Sequence, residues 1–421
     1  MRLITSMPDP HQVSGTGTGA LSTTGRREGC PMTPELPTAD FYGVEDLLSG
    51  KERAKLAEVR DFLDAEVKPH AAAWWDAAEF PFELLPTLAS LEINTPTRRG
   101  YSHLFMGLLI AELSRADVSL GTFFMVHHDL FVESLHRFGS QDQKDRLLDD
   151  AASLRTTGAF ALTEPEHGSD IARGLSTTAV RRGDEWVLNG SKRWIGNGTF
   201  CDHMLLWARD RTPGAEGAIR GFIVAGDLPG LTRTRIEGKT ALRTVQNADI
   251  ELREVRVSEA DRFAGISSFA DTNELLRGSR VLVAWQAVGQ QLAAFDVARS
   301  YAIRREQFGK PIASFQMVQD RLVKILGNAV SGATMMTRIA QLDQQGLAGM
   351  PQVALAKAHV TTAMRESVAH ARAVLGGNGI VTGYGAAKVF ADAEAIYTYE
   401  GSYEVNTLIV GREITGVSAI H

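Results

Sequence analysis

Four stretches of this chain carry residues whose types and spacing suit chemistry, and the last of them is the most informative. In Tyr397-Thr-Tyr-Glu-Gly-Ser402, Glu400 follows two aromatic residues and precedes Gly401, which lets a ligand approach the backbone closely. Such neighbours can remove a carboxylate from water and suit it to general-base catalysis. An isolated glutamate beside glycine is usually a surface or capping residue, so the assignment of Glu400 as a base depends on the other stretches.

The stretch Thr163-Glu-Pro-Glu-His-Gly-Ser-Asp170 lies where helical patterns give way to strand patterns. Its proline indicates a loop, and Gly168 and Ser169 offer N–H and hydroxyl groups to an anionic or carbonyl-rich ligand. The alternative is a plain connection between a helix and a strand. Taken alone, these residues leave both interpretations open.

Two other stretches combine an aromatic residue, a cation and glycine. In Lys192-Arg-Trp-Ile-Gly-Asn197, Trp194 would either fill a protein core or stack on an aromatic ligand. In Arg305-Glu-Gln-Phe-Gly309, the planar guanidinium of Arg305 suits bidentate binding of a pyrophosphate, and Gln316 follows closely. A solvated turn with a surface arginine is the alternative for this stretch.

The elements that must position these stretches follow the order helices, strands, helices. Apolar residues at helical spacing, beginning with Leu56, Val59 and Leu63, predict a helical region up to about residue 158, with Gly139 ending one helix. Short strand patterns separated by Gly, Asp and Pro then predict a small antiparallel β region. Within it, Asn189-Gly190 is predicted to form a hairpin turn.

Helical periodicity returns after the strands and predicts a bundle of about four long helices. Arg280 is predicted to open the first of them, and Arg305 to lie between the first two; the third is predicted to end at Gly376. The predicted fold class is therefore α+β. The predicted domains are residues 41–158, 159–268 and 269–421, preceded by a disordered tail over residues 1–40, for which initiation at Met32 is an alternative.

Bulk properties exclude several classes of function. A chain of 421 residues exceeds what one hydrophobic core usually organises, and a net charge of −6 argues against nucleic-acid binding. Cys30 and Cys201 are too few for a disulfide framework or a thiolate metal site. No apolar run is long enough to span a membrane. The adjacent His127 and His128 point to different faces of a predicted helix, so no metal site is expected.

Together, the four stretches and their order resemble the acyl-CoA dehydrogenase family of flavoenzymes, and the resemblance runs from about Asp46 to Gly416. It implies an N-terminal helical domain, a middle β domain and a C-terminal four-helix bundle. It also implies an FAD-dependent enzyme that desaturates an acyl-CoA thioester between Cα and Cβ. Glu400 would remove the Cα proton, and the hydride from Cβ would pass to flavin N5.

The resemblance also implies positions for the two ligands. Residues implied in cofactor binding are Phe160, Leu162, Thr163, Gly168, Ser169, Trp194, Ile195, Gly196, Arg305, Gln307, Phe308, Gln316, Ala373, Leu375, Gly376, Gly377 and Ser402. Residues implied in substrate binding are Gly121, Thr122, Ser169, Arg280 and Gly401. Arg305 and Gln316 would bind the flavin of a neighbouring subunit, which implies a homo-oligomer, either a dimer or a tetramer.

Three positions depart from the family pattern. Gly196 stands where the family has a hydroxyl residue near flavin N5, so the electron acceptor stays open. Gly121 stands where glutaryl-CoA dehydrogenases have an arginine for the distal carboxylate of their substrate, which argues against a dicarboxylic acyl group. The loop at Arg98-Arg-Gly-Tyr-Ser102 is shorter than usual, so the preferred chain length stays open.

Within the family, the chain resembles plant-type short-chain acyl-CoA oxidases and glutaryl-CoA dehydrogenases most. The first expectation is a cytoplasmic dehydrogenase that passes electrons to an electron-transfer flavoprotein. Two alternatives remain: an oxidase that is reoxidised by oxygen, and a non-catalytic scaffold that binds flavin or another nucleotide. Ser418-Ala-Ile-His421 lacks a peroxisomal address, and Asp9 and Glu28 argue against a transit peptide.

Overall fold

Three successive regions of different secondary structure follow one another in the computed structural model, which describes residues 38–419. The predicted order of helices, strands and helices is confirmed. The predicted tail, residues 1–40, lies almost entirely outside the described residues. None of the helices between residues 38 and 419 combines the length and the hydrophobicity that a bilayer crossing requires.

The first region is helical. Its helices are α1 (Gly50–Phe62), α2 (Ala71–Ala77), α3 (Leu85–Ser90), α4 (His103–Met125), α5 (Ser134–Phe138) and α6 (Gln141–Ala152). Helix α4 is buried along most of its length and departs from helical geometry at Asp117, where φ is −153°. A π-helical segment, Val126–Glu133, joins α4 to α5, which ends at Gly139 as predicted.

The two adjacent histidines of the π-helical segment serve packing. The Gly158 N–H donates to Nδ1 of His127 at 3.0 Å, and the Thr95 N–H donates to Nδ1 of His128 at 2.9 Å. Burial lowers the pKa of His127 to about 4 and that of His128 to about 3, so both rings are neutral at pH 7. Within residues 38–419, no group of three or more His, Cys, Asp or Glu side chains is arranged to hold a metal ion.

A seven-stranded sheet forms the second region. Its elements are β1 (Gly158–Ala161), the short helix α7 (Ile171–Gly174), β2 (Thr178–Arg182), β3 (Glu185–Ile195), β4 (His203–Asp210), β5 (Ile219–Ala225), β6 (Leu231–Arg235) and β7 (Ala248–Ser258). Most strand pairs are antiparallel, but β1 and β2 both run parallel to β4. The sheet is therefore mixed rather than purely antiparallel.

The hairpin predicted at Asn189-Gly190 was wrong. The turn between β2 and β3 lies at Gly183-Asp184, and Asn189-Gly190 lies inside β3, where the pairing with β7 shifts register. The Asn189 side chain accepts the Glu254 N–H at 2.8 Å, and a β-carbon on Gly190 would lie 2.6 Å from Thr177 Oγ1. Asparagine and glycine thus serve a β-bulge and a close backbone approach here.

The third region is again helical. Its elements are α8 (Phe269–Arg304), the small hairpin strands β8 (Glu306–Gln307) and β9 (Lys310–Pro311), α9 (Gln316–Gln344), α10 (Met350–Val374), α11 (Ala386–Thr398) and α12 (Tyr403–Thr415). The prediction that Arg280 opens the first helix was wrong, because α8 begins at Phe269. Its first turns are polar and start at a capping box of Ser268 and Asp271, which apolar periodicity does not reveal.

A buried ion cluster connects all three regions. The Lys388 ammonium lies 3.0 Å from Asp392 Oδ2 and 3.3 Å from Asp117 Oδ1. The other carboxylate oxygen of Asp392 accepts the Trp75 indole N–H at 2.8 Å and the Leu242 N–H at 2.6 Å. Lys388 thus has two carboxylate partners, and the pKa of its ammonium is raised because they outweigh the cost of burial.

Candidate active site

Two loops contain the predicted base and several of the predicted ligand-binding residues. The Glu400 loop (Tyr399–Ser402) connects α11 to α12, and the Trp194 loop (Trp194–Asn197) consists of the last two residues of β3 and the two residues that follow. Both loops contain residues with positive φ, which side chains other than glycine rarely adopt. Such conformations persist only where the surrounding structure enforces them.

Both loops are linked by hydrogen bonds to the C-terminal end of α4. Asn197 Nδ2 donates to the Phe123 carbonyl at 3.4 Å. One residue earlier on the same helix, Thr122 accepts a hydrogen bond from Gln286 Nε2 at 3.1 Å, and Gln286 accepts the Tyr399 hydroxyl at 2.7 Å. The last turn of α4 therefore contacts the Trp194 loop directly and reaches the Glu400 loop through Gln286.

Glu400 is half-buried and its carboxylate has a fixed partner. Its φ is 54°, Gly401 follows with φ 82°, and Ser279 Oγ donates to Glu400 Oε2 at 2.6 Å. A β-carbon on Gly401 would lie 3.1 Å from Arg280 Nε, so the loop requires glycine at this position for both conformation and space. Ser279 and the left-handed turn together define where the carboxylate lies.

Buried donors bind the backbone carbonyls on both sides of Glu400. Arg280 Nε donates to the Glu400 carbonyl at 3.1 Å. Lys357 Nζ donates to the Tyr397 carbonyl at 3.0 Å and to the Gly401 carbonyl at 2.7 Å, where Asn406 Nδ2 also donates at 2.7 Å. Burial lowers the pKa of Lys357 to about 7; the Glu400 carboxylate opposes this shift, and the nearby Arg280 guanidinium adds to it.

A second buried lysine lies beneath the start of the β region. Lys192 Nζ donates to the Leu162 carbonyl at 3.1 Å and to Glu164 Oε1 at 2.9 Å. Burial alone would raise the pKa of Glu164, but Lys192 and donors from Ser176 and Thr177 lower it to about 2. This ion pair fixes the backbone of the Thr163 stretch against β3.

The Trp194 loop exposes its aromatic side chain. Trp194 is 53% exposed with φ 66°, and Asn197 is buried with φ 60°. The Trp194 carbonyl accepts a hydrogen bond from Asn247 Nδ2 at 3.3 Å. A β-carbon on Gly196 would lie 3.1 Å from Val126 Cγ2, so a larger residue here would press on the π-helical segment.

The other predicted cofactor residues are spread over several surfaces. Phe160, Leu162, Ile195 and Leu375 are buried; Thr163, Gly196 and Ala373 are half-buried; and Gly168, Ser169, Arg305, Gln307, Phe308, Gln316, Gly376 and Gly377 are exposed. The Phe160 ring packs on Trp207 at 4.2 Å between ring centres. Phe308, at the tip of the β8–β9 hairpin, is 92% exposed. Cofactor contacts of these residues stay predictions.

Three predicted ligand residues have structural contacts within the chain. Ser402 is the N-cap of α12, where its hydroxyl accepts the Val405 N–H at 3.4 Å. Gly121 is buried at the kink of α4, and a β-carbon there would lie 2.6 Å from Ser114 Oγ. Arg280, predicted to contact substrate, is buried against the Glu400 loop.

Several residues that organise the site were missed by the reading of the sequence: Ser279, Gln286, Lys357 and the Lys192–Glu164 pair. Ser279 immediately precedes Arg280, and Glu164 and Lys192 lie inside the Thr163–Asp170 and Lys192–Asn197 stretches. The sequence therefore indicated that these residues are close to the site. Lys357 lies in the N-terminal third of α10 among small and apolar residues. A lysine on a predicted buried helix face was the one signal that pointed to it.

Comparison with models of known protein families shows to which family the chain is related. The models of the N-terminal, middle and C-terminal domains of acyl-CoA dehydrogenases match residues 49–155, 159–255 and 269–415 in succession. The chain belongs to the acyl-CoA dehydrogenase family. The resemblance noted in the sequence is thereby confirmed, together with the fold class.

Individual members of the family match over most of their length. A probable acyl-CoA dehydrogenase of Bacillus subtilis, YngJ, is 32% identical over 86% of this chain and 98% of its own. Human mitochondrial short-chain specific acyl-CoA dehydrogenase is 30% identical over 91% and 94% of the two chains. A glutaryl-CoA dehydrogenase of Mycobacterium smegmatis, solved in complex with FADH2, is 29% identical, with a TM-score of 0.87 over 91% and 99%.

Proposed function

We propose that this family member desaturates an acyl-CoA thioester with FAD, and that Glu400 removes the Cα proton. The observation that carries the proposal is the placement of the carboxylate. A left-handed loop presents Glu400 beside the end of α4, and Ser279 Oγ holds its Oε2 at 2.6 Å. Strained backbone maintained by surrounding donors is typical of functional sites.

The backbone of Glu400 also suits binding of the thioester carbonyl. Its own carbonyl accepts Arg280 Nε, whereas its N–H has no hydrogen-bond partner among residues 38–419. We assign this N–H to the substrate carbonyl oxygen, where it stabilises the negative charge that develops as the Cα proton leaves. Binding and proton removal would thus be performed by one residue, through its N–H and its side chain.

The Trp194 loop fits the isoalloxazine ring of FAD, as expected from the relative solved with FADH2. Trp194 is half-exposed beside Gly196, and β-carbons at Gly168, Gly376 or Gly377 would meet no atom within 4 Å, so the backbone there is open to a ligand. Bound FAD would supply the acceptor for the two electrons that leave with the Cβ hydride. Thr163, Trp194 and Ile195 are the residues that we expect to hold the ring.

The acyl group that the site favours lacks a second carboxylate. Gly121 supplies no cation, and a β-carbon there would lie 2.6 Å from Ser114 Oγ, so its surroundings leave no space for a larger side chain. An unpaired buried carboxylate is costly, so a dicarboxylic acyl group would bind poorly. The neighbouring polar side chains of Thr122, Gln286 and Tyr399 are hydrogen-bonded to one another and carry no positive charge.

We further propose a homo-oligomer, either a dimer or a tetramer. Arg305, Gln307 and Phe308 lie on or beside an exposed hairpin whose turn extends into solvent, which suits binding of a flavin held by another subunit. An apolar groove of about 840 Å³ along α9 and α10 supports self-association. Light scattering after size-exclusion chromatography would test the assembly, and a monomer that retains FAD would contradict it.

An electron-transfer flavoprotein is the proposed electron acceptor, and oxygen is the second candidate. The glycine at 196 favours the oxidase, because no hydroxyl is present at the position that the family places near flavin N5. Oxygen uptake with a saturated acyl-CoA in the absence of any other acceptor separates the two. Rapid uptake supports the oxidase, and slow uptake supports the dehydrogenase.

The central test uses the wild-type FAD complex under anaerobic conditions. Saturated monocarboxylic acyl-CoA thioesters, beginning with butyryl-CoA, should bleach the flavin absorbance and yield the corresponding enoyl-CoA. Glutaryl-CoA is the control and should bleach it much more slowly. Absence of flavin absorbance in the purified protein would favour the non-catalytic scaffold, and bound flavin that no acyl-CoA reduces would contradict the proposal.

A further inference from the structure

We propose that Lys357 is a positioning residue for Glu400, because its ammonium group holds the backbone on both sides of the Glu400 loop. This inference rests on the proposed function of Glu400 as the base. Neither the comparisons with known proteins nor the sequence patterns assign a role to this lysine. Its position in the fold, in the N-terminal third of α10 and facing the Glu400 loop, supports one.

The contacts of Lys357 reach the two helices that the Glu400 loop connects. The Tyr397 carbonyl belongs to the last turn of α11, and the Gly401 carbonyl lies two residues before α12 begins. One ammonium therefore fixes the end of one helix relative to the start of the next. The peptide that carries Glu400 lies between these two anchors.

The charge of Lys357 lacks a carboxylate partner at hydrogen-bond distance among the described residues. Lys357 is fully buried, and its two hydrogen bonds go to backbone carbonyls. The charged groups that face it are Glu400 on the loop, Arg280 on α8 and Glu404 on α12. A buried ammonium with carbonyl partners alone costs stability, so its presence is better explained by organisation of the loop than by stabilisation of the fold.

Arg280 completes the arrangement from the opposite side. Its Nε donates to the Glu400 carbonyl, so the carbonyls of residues 397, 400 and 401 all point to buried cations. With the carbonyls directed there, the Glu400 N–H stays free and the side chain reaches Ser279 at 2.6 Å. Loss of the Lys357 contacts would let the loop relax, and a displacement of about 1 Å at a reacting group costs roughly 100-fold in rate.

The test compares three FAD-loaded proteins: wild type, Lys357→Met and Lys357→Arg. Methionine keeps the length and the burial of the side chain but donates no hydrogen bond, whereas arginine keeps a cation with several donors. Anaerobic rapid mixing with butyryl-CoA gives the limiting rate of flavin reduction and the apparent Kd. The same measurement with α-deuterated butyryl-CoA gives the isotope effect on Cα–H cleavage, and thermal unfolding reports on the fold.

A matched control is Lys388→Met, the same substitution at another buried lysine of the third region that does not contact the Glu400 loop. We expect Lys357→Met to lower the limiting rate about 100-fold, to change the apparent Kd less than 3-fold and to raise the α-deuterium isotope effect. We expect Lys357→Arg to recover at least a tenth of the wild-type rate. Lys388→Met should lose stability and keep its rate per bound flavin.

The remaining outcomes overturn the proposal in distinguishable ways. If acyl-CoA does not reduce the flavin of the wild-type enzyme, the proposed function is contradicted, and this inference is contradicted with it. If wild type is active and Lys357→Met is equally active, the proposed role of Lys357 is contradicted while the proposed function stands. Loss of the folded FAD complex in both Lys357 variants would assign the lysine to stability, and an unchanged isotope effect would show that Glu400 is not misplaced.

Discussion

The Trp194 loop and the Glu400 loop are organised in the same way, each above a fully buried lysine that binds backbone carbonyls. Lys192 binds the Leu162 carbonyl beside the first loop, and Lys357 binds the Tyr397 and Gly401 carbonyls around the second. The difference lies in the compensation of charge. Lys192 has the Glu164 carboxylate at 2.9 Å, whereas Lys357 is bound by carbonyls.

Because of this difference, we assign a structural role to the Lys192–Glu164 pair and a positioning role to Lys357. The Lys192–Glu164 pair is mutually neutralised, and Glu164 also accepts the Ser176 and Thr177 N–H groups, so the pair stabilises the Thr163 stretch. Lys357 contributes order to the Glu400 loop at a cost in stability. Removal of each lysine should therefore affect different properties of the protein.

The largest expected contrast is in unfolding free energy. Lys192→Met leaves the Glu164 carboxylate buried without its cation and should cost about 3–5 kcal/mol. Lys357→Met removes a buried charge together with two hydrogen bonds, so it should cost less than about 2 kcal/mol. Urea unfolding of the FAD complexes measures both.

Two further variants make this contrast sharper. Glu164→Gln in the Lys192→Met background should recover part of the lost unfolding free energy, because the buried carboxylate without a cation is no longer present. The control Lys324→Met, at an exposed lysine 3.0 Å from Asp320, should stay within about 0.5 kcal/mol of wild type. Equal losses for Lys192→Met and Lys357→Met would contradict the distinction between the two loops.

FAD affinity provides the next contrast. Lys192→Met frees the Leu162 carbonyl and loosens the Thr163 stretch, so FAD should bind about 10-fold to 100-fold more weakly. Lys357→Met should keep FAD within about 3-fold of the wild-type Kd, because we propose that the Glu400 loop contacts substrate rather than the cofactor tail. Fluorescence titration of the apoproteins with FAD measures both. The same weakening in both variants would show that the loops are not independent.

The pH dependence of stability separates Lys357 from Lys388. Burial lowers the pKa of Lys357 to about 7 in the folded state, so between pH 7 and 10 the unfolded state binds more protons. The free energy of unfolding of wild type should therefore increase relative to that of Lys357→Met as the pH rises above about 7, by at most about 1.4 kcal/mol per pH unit.

Lys388 should show no such trend between pH 7 and 9. Its folded-state pKa is raised, so the stability it contributes is complete below the ordinary lysine pKa and is lost only above it. The Lys388 ammonium should therefore add no pH dependence to the stability of wild type over this range. Urea unfolding of wild type and Lys357→Met at pH 6.5, 7.5, 8.5 and 9.0 measures the trend, and a difference that does not grow above about pH 7 would refute the lowered pKa of Lys357.

The smallest effect is expected at Gly196. In Gly196→Ser the new β-carbon would meet Val126 Cγ2 at 3.1 Å, so stability should fall by about 1 kcal/mol or less, and Val126→Ala should restore it. The added hydroxyl should lower oxygen uptake relative to the rate of flavin reduction. An oxygen electrode and anaerobic mixing give the two rates, and an unchanged ratio would remove Gly196 as a determinant of the acceptor.

The sequence predicted what depends on local patterns. Helix ends at Gly139 and Gly376 followed from glycine after apolar periodicity, and the order of the three regions from the switch between helical and strand patterns. The Asn189-Gly190 hairpin failed because the same dipeptide serves a bulge when a neighbouring strand supplies the register. The start of α8 failed because its first turns are polar and depend on a cap.

The candidate site was predicted in part. Glu400 was predicted because its neighbours in sequence are informative, whereas Lys357 and Ser279 reach it only through the packing of α10 and α8 on the loop. Donors that act through backbone carbonyls leave no spacing pattern, since the partner is any residue that the fold brings within reach. The predicted contacts of the β8–β9 hairpin are with another subunit, and they stay predictions for the same reason.

The most direct measurement is the anaerobic reduction of the FAD complex of Glu400→Gln by butyryl-CoA. The substitution keeps the size of the side chain and the Ser279 contact but removes the proton acceptor. We expect a protein that binds FAD and butyryl-CoA as wild type does and whose flavin bleaches about 10³-fold to 10⁴-fold more slowly. Bleaching at the wild-type rate would contradict the assignment of Glu400 as the base.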